Sequence, residues 1–67
     1  MATEKFSFDS YEQAKSFSDK LYSSDAYEGG SPYIDGWNQV EIDTDKVKDA
    51  QAIGVFAGDR GGKTVDN

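Results

Sequence analysis

The sequence contains no cysteine and no histidine. Without cysteine there is no disulfide and no thiolate metal site. Without histidine there is no imidazole ligand and no histidine general base. The Ser-His and Cys-His nucleophile arrangements are excluded with it. Proline occurs once, at Pro32, and the single tryptophan is Trp37. No apolar run approaches the roughly 20 residues that a membrane helix requires. The opening MATEKFSFDS is poor in apolar residues and carries acids early, unlike a secretory signal. The expectation is a soluble, cytoplasmic protein without cofactor or metal.

At 67 residues the chain is read as one domain, 1–67. A domain this small buries a modest share of its surface and is marginally stable alone. Nine aromatic residues against one proline nevertheless argue for a folded core.

Positive charge is missing from one long stretch. Residues 21–45 hold six acids (Asp25, Glu28, Asp35, Glu41, Asp43 and Asp45) and no lysine or arginine. The flanking segments nearly balance, so this stretch accounts for the formal net charge of -6. An acidic field repels nucleic-acid phosphates and attracts basic partners. Direct nucleic-acid binding is therefore not expected. The patch serves solubility, or it is aimed at a basic groove on another protein.

Apolar spacing sets the expected fold. Thr3 to Phe8 alternate, with Phe6 and Phe8 on one face and Lys5 and Ser7 on the other, which predicts a strand over 3–8. Tyr11, Ala14, Phe17 and Leu21 fall on one helical stripe, and Asp9 or Ser10 can cap it. A helix over about 10–22 follows. Gly29 to Pro32 make a loop, and Asp35-Gly36 is a two-residue hairpin signal or the end of that loop. WNQVEID predicts a strand over 37–43, with Asn38, Val40 and Ile42 on one face and Trp37, Gln39, Glu41 and Asp43 on the other. Thr44 or Asp43 could cap a short second helix over 44–50, or the segment is a hairpin connection. AIGVFA reads as a buried strand over 52–57, and 58–67 as a flexible turn and tail. The expected class is α+β: one main helix on a small, mostly antiparallel sheet. Its expected core is Phe6, Phe8, Ala14, Phe17, Leu21, Val40, Ile42, Ile53 and Val55.

Two motifs touch on chemistry. Ala57 to Thr64 read AGDRGGKT, a phosphate-binding loop pattern if alanine replaces its first glycine. Such a loop works through amides at the start of a following helix. Only Val65, Asp66 and Asn67 follow Thr64 here, so a turn is expected instead. Asp43, Asp45 and Asp49 have the spacing that starts a calcium loop, but Val47, Lys48 and Gly54 stand where a ligand, glycine and glutamate are required. Thirteen acids make any carboxylate pair uninformative. A chain this short rarely forms the water-excluding cleft that catalysis needs, and no enzyme activity is expected.

What remains is the acidic, aromatic stretch. Asp35, Glu41, Asp43 and Asp45 are candidate contacts to lysine or arginine of a partner, with Tyr33 and Trp37 as anchors and Tyr27 and Glu28 beside them. The leading expectation is a non-catalytic module that binds a basic surface. Its most concrete form is a small phage- or mobile-element-type inhibitor that places carboxylates where phosphates would sit in a nucleic-acid channel. That similarity is one of composition alone. A structural subunit acting as a homodimer is the alternative, and an NTP-binding fragment is a third reading.

Overall fold

Ser10 starts the main helix. In the computed structural model, which describes residues 2–65, its backbone is extended and its Oγ accepts from the Gln13 N–H at 3.2 Å. One of the four orphan amides at the helix start is thereby satisfied. Helix α1 then runs Tyr11–Ser23 and buries Ala14, Phe17, Ser18 and Leu21. Tyr11, at the start of the expected stripe, is exposed.

Strand β1 (Thr3–Ser7) precedes this helix, and β2 (Tyr33–Asp35) and β3 (Gln39–Asp43) follow it. A 3-10 turn (Thr44–Lys46), helix α2 (Ala50–Asp59) and strand β4 (Lys63–Thr64) complete the order. The four strands form one antiparallel sheet in the order β2-β3-β1-β4. Because β1 and β2 both run antiparallel to β3, they are parallel to each other with β3 between them. The same holds for β3 and β4 about β1. Each helix thus crosses over between two parallel strands that a third separates, the split β-α-β connectivity of ferredoxin-like folds. That topology hosts many unrelated functions and assigns none.

Both helices contribute to a single core against one face of the sheet. Phe6, Val40 and Ile42 from the inner face meet Ala14, Phe17 and Leu21 of α1 and Ile53 and Ala57 of α2, with Phe8, Ala26 and Tyr27 sealing the cluster. The Phe17 ring sits 5.2 Å from that of Phe6 and 5.1 Å from that of Phe8. Ser18 is the buried polar residue among them, and its Oγ donates to the Pro32 carbonyl at 3.2 Å. This bond fastens the loop before β2 to α1.

The expected strand over 52–57 is a helix. Asp49 caps α2, its carboxylate accepting from the Ala52 N–H at 3.1 Å. The run AIGVFA buries one side only: Ile53 and Ala57 lie inside and Phe56 packs partly against the core. Val55, expected in the core, is 54% exposed. A continuous apolar run cannot be assigned by periodicity alone, and here packing of one helical face decides it. The expected strand over 37–43 begins at Gln39, because Gly36, Trp37 and Asn38 form a three-residue loop closed by Asp35 opposite Gln39. Gly36 there has a φ of 69°, a value that L side chains rarely adopt. The optional helix over 44–50 is reduced to the 3-10 turn, with Asp43 as its cap.

The expected flexible tail over 58–67 contains structure, although 66 and 67 lie outside the described residues. Lys63 and Thr64 pair with Ser7 and Phe6, and the Val65 N–H donates to the Lys5 carbonyl at 2.8 Å. The string AGDRGGKT straddles the C-terminus of α2. The amides of Arg60, Gly61 and Gly62 turn back to the carbonyls of Ala57 and Gly58. A phosphate loop presents free amides at the positive end of a helix, whereas these amides are occupied at the negative end.

Two glycines of this string should respond oppositely to a methyl group. At Gly62 a Cβ would fall 3.0 Å from the Ala57 carbonyl oxygen and closer still to the Phe8 ring; at Gly58 it would meet nothing within 4 Å. We expect Gly62→Ala to destabilise by about 1–3 kcal/mol through overpacking. Gly58→Ala should stabilise by about 0.5–1 kcal/mol through helix propensity. Urea denaturation of the two variants checks both signs.

Candidate functional site

The sheet alternates strictly, and its second face is set by what the first one buries. With Phe6, Val40 and Ile42 turned to the helices, Lys5, Ser7, Gln39, Glu41 and Asp43 point the other way. Directly opposed residues of antiparallel strands share a face at about 5 Å between Cβ atoms. Tyr33, Glu41 and Lys5 therefore form one transverse row, and Asp35, Gln39, Ser7 and Lys63 the next. Asp43 ends the face, opposite Thr3. Among the described residues no helix or strand covers this face.

Of the candidates, Tyr33, Asp35, Glu41 and Asp43 are brought together here. Tyr33 is 63% exposed on the edge strand. Trp37 is 59% exposed at the tip of the β2–β3 loop, at the Gln39 end of β3. Strand parity with Glu41 suggests exposure of Trp37; the loop, not the strand, provides it. Asp45 lies just past the other end of β3, where its amide donates to Asp43 Oδ1 at 3.0 Å. At 3.4 Å per residue the strand separates these two ends by roughly 14 Å.

The other two candidates lie elsewhere. Tyr27 is only 7% exposed and belongs to the core cluster. Its hydroxyl accepts from the Asp43 N–H at 3.0 Å, and its backbone bridges to Val47. Tyr27 therefore ties the 24–32 loop to the end of β3 and is not free for a partner. Glu28 sits on that loop, where its carboxylate lies 3.5 Å from the Lys48 ammonium. In an exposed pair of this kind the interaction is worth little.

Sequence reasoning missed Lys5. Its Nζ donates to Asp35 Oδ2 at 2.8 Å across the outer face. That hydrogen bond first, then the Asp35 charge, with smaller contributions from Glu41 and Tyr33, holds the ammonium above the ordinary lysine value. The alternation of β1 placed Lys5 on a polar face, but only the pairing of β1 with β3 places that face beside the acids. Asp35 is thus already partnered. The acids of the face with no ion pair among the described residues are Glu41 and Asp43.

The Asp residues of the calcium-like spacing have local roles. Asp43 caps the 3-10 turn and Asp49 caps α2. Among the described residues no group of three acids converges as metal ligands, and no helix is long and apolar enough to cross a membrane. The chain matches no protein-family model, no curated protein and no solved structure.

The Lys5–Asp35 pair has a defined pH signature. A lysine whose folded-state pKa is raised stabilises the fold below its unfolded value, about 10.4. That stabilisation is lost as pH rises through the folded value. The stability difference between wild type and Lys5→Met should stay constant from pH 7 to 9 and shrink above pH about 10.5, in urea titrations at matched ionic strength.

Proposed function

We propose that this chain is a non-catalytic interaction module that binds a basic surface of a protein partner through the outer face of its sheet. The observation that carries this reading is the grouping of Tyr33, Glu41 and Asp43 on an uncovered face, with Trp37 and Asp45 at its two ends. Exposed aromatics supply anchoring area, and tyrosine and tryptophan dominate interface hot spots. The acids supply steering toward cations and a penalty against wrong partners.

Charge also separates this reading from direct RNA binding on the same architecture. Four-stranded sheets that bind RNA stack bases on aromatics of the sheet and neutralise phosphates with cations. Here the central strands present Lys5, Ser7, Gln39, Glu41 and Asp43 outward, with no aromatic among them. A partner that itself carries a nucleic-acid channel fits better, since carboxylates can occupy the places of phosphates there. In its most specific form the protein is a small inhibitor of phage or mobile-element type, acting in the cytoplasm.

Self-association through this face is the weaker reading. Tyr33 lies on the edge strand β2 and could meet its copy. A two-fold interface, however, is made of the same patch from both subunits. It would set the uncompensated charges of Glu41 and Asp43 against their own copies. Light scattering at high concentration is expected to report a monomer.

Affinity capture with three baits tests the proposal. A partner retained by the wild-type protein should be lost when Glu41, Asp43 and Asp45 are all reversed to lysine. Trp37→Ala should weaken it by about 1–2 kcal/mol, or ten-fold or so. Raising salt from 0.05 to 0.5 M should weaken the wild-type complex and spare little of it, as screening shortens the Debye length to a few Å, about 4 Å. Capture of the same partner by the triple reversal at equal strength contradicts the proposal.

A further inference from the structure

On the opposite side of the sheet the layer under α2 is not closed. A cavity of about 140 Å³ opens between the first half of α2 and the inner faces of β1 and β3. Its apolar walls are Phe6, Ile42, Val47 and Ile53, and Thr64 of β4 lies at its edge. The helix contributes only Ala50 and Gly54 beside Ile53, and a Cβ at Gly54 would meet no atom within 4 Å. The slot exists because α2 carries small residues where a long side chain would fill it. Its size is close to that of the dry cavity of about 150 Å³ that takes up one benzene, so one short alkyl chain fits.

The slot has one charged group. Glu4 stands opposite Ile42 and shares the inner face with the apolar Phe6, Ile34, Val40 and Ile42 and with the uncharged Thr64. It is half-buried and lines the cavity. Among the described residues no cation lies within ion-pair distance of it. An apolar slot with a carboxylate at its wall discriminates by charge. An anion is repelled, and a neutral chain desolvates the carboxylate without compensation. A cation on a short chain satisfies both parts.

We propose that this slot binds a short primary alkylammonium group, its chain on Phe6, Ile42, Val47 and Ile53 and its ammonium on Glu4. The site is independent of the acidic outer face and stands whether or not that face binds a protein. The same chemistry occurs in a free amine and in a lysyl side chain, and the experiment separates the two.

Methyl NMR of Ile42, Val47 and Ile53 follows titrations with n-butylammonium, n-butanol, butyrate and N-acetyl-lysine N-methylamide. In the wild-type protein butylammonium should give saturable shifts at these methyls. It should bind about two- to five-fold more tightly than butanol, the range expected of a half-exposed ion pair, and butyrate should bind most weakly. Glu4→Gln should bring the amine down to the alcohol. Gly54→Ala, a change favoured by helix propensity, should weaken all ligands, and Gly54→Leu should abolish their binding. Shifts from the lysine derivative as large as those from butylammonium assign the slot to a partner's lysine; shifts from the free amine alone assign it to a small molecule. Absent or non-saturable shifts, equal affinity for butanol and butylammonium, or binding that survives Gly54→Leu in a folded protein overturns the proposal.

Discussion

The structure depends on the packing of Phe17. Its ring is fully buried and packs against both Phe6 of β1 and Phe8 just beyond it. At about 0.05–0.15 kcal/mol per residue, the whole chain has roughly 3–10 kcal/mol of stability. A buried phenylalanine truncated to alanine costs about 3–5 kcal/mol, so this one contact is comparable with the total. It also fixes orientation. Once Phe6 points toward α1, the pleat sends Lys5 and Ser7 outward, and the pairing of β1 with β3 sends Glu41 and Asp43 the same way.

Size then imposes the asymmetry of the molecule. Two helices cover one face of a four-stranded sheet and leave the other open. An antiparallel sheet tolerates this when its open face is polar, and here it carries Asp35, Glu41 and Asp43 together with Lys5, Lys63, Ser7 and Gln39. The Lys5–Asp35 bond ties the edge strand β2 to the centre of the sheet and removes one acid from the free set. The remainder of the face carries Glu41 and Asp43, Lys63 on the β4 edge, and the exposed rings of Tyr33 and Trp37 at the margin.

Much of this was legible in the sequence, and the rest was hidden for physical reasons. Helix α1, the strand with Val40 and Ile42 inward, and most of the core follow from period and capping residues. The run AIGVFA did not betray its helix, because six apolar residues carry no period. The decisive features are Asp49 before the run and the glycines after it, which the sequence places in the optional 44–50 helix or connection and in the tail. Of the candidate site, Glu41 and Asp43 share a face by strand parity alone, and Tyr33 joins them only through the pairing of β2 with β3. Tyr27 was misplaced because a tyrosine in a polar loop gives no sign that its hydroxyl reaches the Asp43 amide. Lys5 was missed because its role requires β3 to pair with both β1 and β2, which brings Lys5 to Asp35 across 30 residues of sequence.

The central claim is that the open acidic face, and not the helical face, meets the partner. Side-chain footprinting of the complex with whatever protein is captured tests it most directly, using carboxyl labelling together with oxidation of the aromatic rings. The account predicts protection of Glu41, Asp43, Tyr33 and Trp37 on binding, while Asp19 and Glu12 on α1 and Asp59 at the end of α2 label as in the free protein. Protection of the helical carboxylates with undiminished labelling of Glu41 and Asp43 would contradict it.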